Sequence, residues 1–394
     1  MQEDKRTVVV TTLPVTPKFN RGLGSFTTVF VADMFNRWVG GRLFTPVNLI
    51  SRIKKYRRSE ADVDSARYYD ILMKLGIVPV RTWRDDDPDF QERIKSIIEF
   101  FRVEGILTPR CISLLSCPCG AIEIPSDHLL TLYNSKLVEN LSGQNPVCRK
   151  CSNSLKEVQM MVIKLDTSAV YERELSCTPS FWEKEVRNLF AGFPKKEIII
   201  SKRAVIEETK ELLGVTFSEE TYYLDPVFRW SQFLSGLDDV DDVVIVTGSR
   251  TVPYAVLSVW YAGIISPRIN FSLLVHPSIT FKDDKGTMRA TTEELLDRYS
   301  RGEIRTLLGV GMTWGKESII DSSLLYLIGH SIAPPKLLLN SELPEKRSKD
   351  LILSGSRSFI RWFNTKKVKE LITRVRRGHQ ITQSDLQLLS ALLA

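Results

Sequence analysis

Apolar positions along this chain fall into two patterns, unbroken β-branched runs and helical stripes, and their alternation sets out most of the architecture. The run Val8-Val9-Val10-Thr11-Thr12 predicts a buried strand over Val8–Leu13, and Asp242-Val-Val-Ile-Val-Thr-Gly248 predicts another. The first run enters a glycine-bearing turn, Asn20-Arg21-Gly22-Leu23-Gly24-Ser25, and then a helix of about Phe26 to Trp38. A second strand follows near Arg42–Val47, with charged, helix-patterned stretches over Asp62–Leu75 and Pro88–Glu104. After the second run come a helix over Val252–Ala262 and a strand over Asn270–His276. Helical patterning also marks Ser180–Leu189 and Val205–Leu213, and everything from about residue 305 onward. Strand, turn, helix, strand in this order predicts an α/β fold with a parallel sheet and crossover helices.

Residues 106–165 interrupt that pattern. They hold five of the six cysteines (111, 117, 119, 148, 151 and 177) and the turn-rich Ser142-Gly143-Gln144-Asn145-Pro146. Cys117-Pro118-Cys119 and Cys148-Arg149-Lys150-Cys151 are close pairs, each able to present two thiolates to one tetrahedral zinc. Cys-x-Cys is tighter than the usual Cys-x-x-Cys, which leaves Cys111 or His128 as a substitute for one ligand. A knuckle that has lost its metal and survives on packing is the alternative. Cys177 stands apart as a core or surface thiol.

Composition narrows the class without changing this outline. The chain has 394 residues, 43% hydrophobic and 26% charged, which excludes disorder, collagen and coiled coil. Its net charge of +7 fits a nucleotide or nucleic-acid partner without requiring one. The apolar stretch Val252–Ile265 is too short for the ~20 residues of a membrane span. The opening residues lack the apolar core and cleavage site of a signal peptide, so a soluble, cytoplasmic protein is expected, with no membrane or DNA partner.

A strand leading through glycines into a helix N-terminus makes an anion site, because free backbone N–H groups and the helix dipole face one point. Gly22 and Gly24 would let a phosphate approach the backbone; the plainer reading is a tight strand–helix turn. The four histidines (128, 276, 330, 379) show no metal or base spacing, and none is assigned as a base. There is no Walker A loop, nucleophile elbow or paired-carboxylate signature.

Taken in order, these segments resemble the class I aminoacyl-tRNA synthetases, specifically the catalytic region of methionyl-tRNA synthetase. The resemblance rests on Thr11-Thr12-Leu13-Pro14, Asn20 to Ser25 and Ala32-Asp33-Met34-Phe35-Asn36-Arg37-Trp38, then on Cys117-Pro118-Cys119-Gly120 and Asn145 to Cys151. It continues through Tyr222-Tyr223-Leu224-Asp225-Pro226, Val246-Thr247-Gly248-Ser249-Arg250, His276-Pro277, Asp284 to Thr291 and Leu295 to Tyr299, covering about residues 7 to 330. It implies a class I synthetase Rossmann-like (HUP) parallel sheet in two halves, 1–105 and 166–305. Between them would sit a zinc-knuckle connective insertion, 106–165, with Cys117, Cys119, Cys148 and Cys151 on a structural zinc. A short helical C-terminal domain, 306–394, would follow, smaller than an anticodon-binding domain. The resemblance also implies ATP with Mg, and an amino acid, as substrates. Leu13, Gly22, Gly24, Ser25, Gly248 and Met288 would face the nucleotide, and Val15, Tyr223, Asp225 and Arg250 the amino acid.

Both family signatures are replaced. The His-x-Gly-His stretch, whose imidazoles contact ATP, is here Gly22-Leu23-Gly24-Ser25. The Lys-Met-Ser-Lys-Ser stretch, whose lysines neutralise leaving pyrophosphate, is here Thr287-Met288-Arg289-Ala290-Thr291. Losing one preorganised donor costs about 10²–10³ in rate, so Arg21 and Arg289 stand as substitute charges, with Lys18 and Lys285 nearby. Val15 replaces an aromatic that packs on methionine in the family. Ser249-Arg250 replaces Lys-Asp, which suits a carboxylate- or phosphate-bearing ligand better than an ammonium. A basic helix over Phe359–Arg377 would grip a phosphate backbone or simply face solvent.

Three functions follow. One is an ATP-dependent amino-acid-activating ligase that forms an aminoacyl adenylate and passes the acyl group to a small-molecule or tRNA acceptor end, distinct from a housekeeping methionyl-tRNA synthetase. The others are a non-catalytic paralogue acting as a binding or regulatory module, and a truncated tRNA synthetase.

Overall fold

The computed structural model describes residues 8–17, 22–49, 58–116, 122–123, 147, 151–165, 175–192, 198–199, 201–203, 214–217, 220–224, 226–234, 237, 240–283, 286–287, 290–312, 314, 317–321, 370–371 and 374. Among them the first run becomes β1, Val8–Thr12, followed by a 3-10 turn, Leu23–Phe26, and helix α1, Thr27–Val39. Next come β2, Arg42–Val47; α2, Arg58–Lys74; β3, Arg81–Arg84; and α3, Pro88–Val103. Asp87 caps α3 by accepting from the Asp89 N–H, and Pro88 occupies its first turn, where a missing N–H costs nothing.

The interruption is built on a long antiparallel hairpin. Strand β4, Leu107–Ser116, pairs along its whole length with β6, Lys156–Leu165, and β5, Ile122–Glu123, adds to the far end of β4. Strand β7 is Ser176–Thr178 and α4 is Glu183–Gly192. The short strands β8, Ile198–Ile199, and β9, Ser201–Arg203, come next, then β10, Gly214–Phe217, and β11, Glu220–Leu224. Of these, β9, β10 and β11 form their own antiparallel sheet. Helix α5 is Pro226–Leu234. The second β-branched run is β12, Asp242–Gly248, leading through a 3-10 turn, Ser249–Thr251, into α6, Val252–Ile265, and β13, Asn270–His276. Strands β14, Ser278–Asp283, and β15, Gly286–Thr287, precede α7, Thr292–Arg298, and α8, Arg301–Gly311, and β16 is Glu317–Asp321.

The central sheet is fully parallel, in the order β3-β2-β1-β12-β13-β7. Strict alternation sends Val9, Val243 and Ile245 into one core with α3, α4, α5 and α6. The same alternation sends Val10, Val244 and Val246 into the opposite core with α1, α2, α7 and α8. A sheet covered on both faces needs apolar residues at every position, hence the unbroken runs. No helix among the described residues is long and apolar enough to cross a membrane.

Four expectations shift. The 305-onward stretch is not wholly helical, because Glu317–Asp321 is extended and pairs in parallel with β14. The pair β3 and β14 was absent from the pattern reading: β3 carries two arginines in four residues, and β14 has only Ile279 and Phe281 as an alternating signal. Cys177 is the core thiol of the two alternatives, 2% exposed, and burial pushes it up to about 12. Finally, α6 runs three residues past the expected Ala262. The predicted helix Val205–Leu213 lies outside the described residues.

Candidate nucleotide crevice

In an open parallel sheet, ligands sit beyond the carboxyl ends of the strands where the strand order reverses. That point here lies between β1, whose chain proceeds outward to β2, and β12, whose chain proceeds the other way to β13. Their ends are Thr12-Leu13 and Thr247-Gly248, and the helices that follow, α1 and α6, start beside them. Two helix N-termini therefore converge on one crevice, favouring negative charge.

The first lip is the turn Gly22–Ser25, closed by the Ser25 N–H donating to the Gly22 carbonyl at 2.9 Å. Gly22 and Ser25 are exposed, and Leu23 is buried as the anchor. Gly24 presses against β14: an added Cβ would meet the Ile279 carbonyl at 3.4 Å and the Phe281 ring at 3.6 Å. A Cβ on Gly22 would lie 3.8 Å from the Ala290 carbonyl. The Gly22 turn and the Ala290 carbonyl, 268 residues apart in the chain, thus face each other across a few ångströms. Leu13 and Val15 are half-buried, with Val15 bonded into the end of β2 through Pro46 and Asn48.

The second lip is the turn after β12. Thr247 and Thr251 share a hydroxyl hydrogen bond at 2.8 Å, and Thr251 donates to the Gly248 carbonyl at 3.0 Å. Ser249 meets Ser278 of β14 at 2.9 Å. Arg250 is exposed and pairs with Glu317 of β16 at 2.9 Å. Beneath lies His276, buried, its ring against Gly248.

Sequence reasoning assigned His276 no role as a base; its signals were its place at the end of a predicted strand and the His276-Pro277 pair within the resemblance. Leu13, Gly22, Gly24 and Ser25 lie on the segment that follows β1, Gly248 and Arg250 lie on the turn that follows β12, and Val15 is bonded to the end of β2. Arg21, Asp225, Met288 and Arg289 lie outside the described residues, as do Cys117, Cys119, Cys148, His128, Lys18 and Lys285. Tyr223 is placed on β11 by its backbone.

The metal expectation meets only part of its residues. Cys151 is exposed and lies, in sequence, between Val147 and Ser154, which form an isolated antiparallel bridge, and Ser152 beside it is left-handed at φ 60°. Among the described residues no three His, Cys, Asp or Glu side chains cluster. Of the basic C-terminal helix, residues 370, 371 and 374 are described; Leu371 is buried in the α1-side core and Arg374 is half-buried.

No protein-family model and no curated protein sequence matches the chain. Solved structures do. The Mycobacterium tuberculosis methionyl-tRNA synthetase in complex with methionyl-adenylate superposes with a TM-score of 0.65 at 13% identity, covering 99% of this chain and 88% of that one. The apo form of the same enzyme gives a TM-score of 0.60 at 13% identity, covering 100% and 87%. The fold is that of a class I, methionyl-tRNA synthetase-like protein.

Proposed function

We propose that the chain is an ATP-dependent amino-acid-activating ligase using the crevice between β1 and β12. The observation that supports this reading is the approach of the Gly22 turn to the Ala290 carbonyl beyond the ends of the central strands. In such a reaction a substrate carboxylate oxygen attacks the α-phosphorus of ATP, the bond to the β-phosphate breaks and pyrophosphate leaves. An acceptor hydroxyl or amine, on a small molecule or a tRNA end, then takes the acyl group and releases AMP.

In this reading the α1 N-terminus and the Gly22–Gly24 backbone hold the phosphates, and Mg accompanies ATP. Arg21 and Arg289 supply the charge that histidines and lysines supply in the related fold, and Met288 flanks the nucleotide. Val15, Tyr223, Asp225 and Arg250 shape the amino-acid side. Cys117, Cys119, Cys148 and Cys151 hold a structural zinc, which when bound would fix the tip of the β4–β6 hairpin.

ATP–pyrophosphate exchange across the proteinogenic and N-hydroxylated amino acids tests the reaction. Exchange with one of them, lost by about 10²-fold or more in Arg289→Ala, is expected. A second reading, a non-catalytic nucleotide-binding paralogue, is favoured by Ser25 in the place of an imidazole and by a His276 whose nitrogens are both engaged. ATP binding without exchange, even with candidate acceptors present, would establish it. Alkylation with and without chelator tests the zinc: protection of the four cysteines should vanish on chelation, while Cys177 resists throughout.

A further inference from the structure

His276 ends β13 and pairs in register with Gly248 of β12. It is 4% exposed. Its Nδ1 lies 2.8 Å from the Pro277 carbonyl oxygen and its Nε2 lies 2.8 Å from Thr28 Oγ1. A carbonyl can only accept, so Nδ1 carries the hydrogen and Nε2 is left bare to accept from the Thr28 hydroxyl. Both nitrogens are then spent, and the ring has no lone pair left for proton transfer. Desolvation lowers its pKa to about 4, consistent with that neutral tautomer.

The partner residue matters as much. Thr28 is the second residue of α1, directly after the Gly22–Ser25 lip. On the other side, a Cβ added to Gly248 would come within 3.3 Å of the ring's Cε1. The imidazole therefore spans from the end of β13, across the end of β12, to the first turn of α1. It touches both lips and joins the two halves of the sheet at the crevice floor.

We propose that His276 is a positioning residue for the nucleotide crevice, its neutral Nε2 holding Thr28 so that the first turn of α1 stands at a fixed distance from Gly248. This rests on the nucleotide reading above. Gly248 is glycine because the ring needs the space, and Thr28 carries a hydroxyl because the ring needs a donor. The bond is uncharged, so it holds the lip without adding field to the phosphate region.

The experiment measures ATP affinity by calorimetry alongside nitrogen chemical shifts of ¹⁵N-histidine-labelled protein. One histidine should show the Nδ1–H neutral tautomer and keep its shifts from pH 8 to 5. Thr28→Val, which keeps shape and loses the donor, should weaken ATP about five- to tenfold, the scale of one buried neutral hydrogen bond. Thr28→Ser should restore affinity to within about twofold, and His276→Gln, which keeps one acceptor and one donor, should retain more than His276→Leu. Thr28→Val combined with His276→Leu should be no weaker than the worse single variant. An Nε2–H tautomer, or a Thr28→Val protein that binds ATP like the parent, overturns the positioning role alone. Failure of the unsubstituted protein to bind ATP, ADP or AMP overturns the nucleotide reading, and the role that rests on it.

Discussion

Two arginine–carboxylate pairs, one joining α8 to α1 and one joining the turn after β12 to β16, have nearly equal lengths and opposite surroundings. Arg305 of α8 reaches Asp33 of α1 at 2.8 Å, with side chains 0% and 4% exposed. Arg250, on the turn after β12, reaches Glu317 of β16 at 2.9 Å, with side chains 67% and 62% exposed. Below the sheet, Arg305 also donates to the Leu75 carbonyl at 3.1 Å and lies 5.2 Å from the Phe30 ring centre. Arg37 adds a second guanidinium to Asp33 at 3.0 Å and donates to the Gly76 carbonyl at 2.8 Å. One carboxylate thus collects α1, α8 and the α2–β3 connection. The rim pair shares one hydrogen bond and stands mostly exposed. Length does not distinguish them; the cost of removing one partner does, because a buried charge left alone has no solvent to turn to.

The largest effect expected is on the buried knot. Asp33→Ala strands Arg305 and should lower the unfolding free energy by about 3–5 kcal/mol, read by denaturant titration. Replacing both partners by apolar residues, Asp33→Leu with Arg305→Met, should recover part of that loss. A double variant no better than the single would show that the hydrogen bonds to Leu75 and Phe30's ring face, rather than the stranded charge, carry the cost.

Next in size is the crevice floor, where the pair is neutral. His276 is lowered from 6.5 to about 4 by burial, with its bond to Pro277 opposing. The folded state therefore binds fewer protons than the unfolded chain between those values. Stability contributed by keeping His276 neutral is intact above about pH 6.5 and is lost as pH falls toward 4, at about 1.4 kcal/mol per unit. From pH 6.5 to 5 the unsubstituted protein should lose about 2 kcal/mol more than His276→Gln. Equal slopes for the two proteins would mean that the ring charges freely in the folded state.

These three sites differ in how far the sequence announces them. The strands β1, β12 and β13 were legible because burial on both faces demands continuous apolar runs, and β2 ran from Arg42 to Val47 as expected. Strand β3, Arg-Thr-Trp-Arg, sits at the sheet edge and is extended because it pairs with β2, which no local pattern reveals. Likewise β16 holds only Ile319 and Ile320 between polar ends, and is fixed by β14. The glycine turn was legible as a possible phosphate cradle. Its approach to Ala290, the Thr28–His276 bond and the Asp33–Arg305 knot join residues 248 to 272 positions apart, and only the folded sheet brings them together.

The smallest effect on stability belongs to the rim, and it separates a fold contact from a ligand contact. An exposed ion pair contributes at most about 1 kcal/mol, because water and salt screen it and two long side chains must be held still. Glu317→Gln should therefore leave the unfolding free energy within about 1 kcal/mol of the parent. Its consequence lies in binding. Arg250 stands on the lip beside Gly248, and with Glu317 neutralised its charge is available to an anionic ligand. At low ionic strength ATP should then bind about two- to fivefold more tightly, and the gain should fade near 1 M salt, where charges a few ångströms apart are screened. Arg250→Ala should cancel the gain. If Glu317→Gln instead cost several kcal/mol, the rim pair would be holding β16 in place as the buried knot holds α8, and Arg250 would be a structural residue of the lip rather than one that a ligand can recruit.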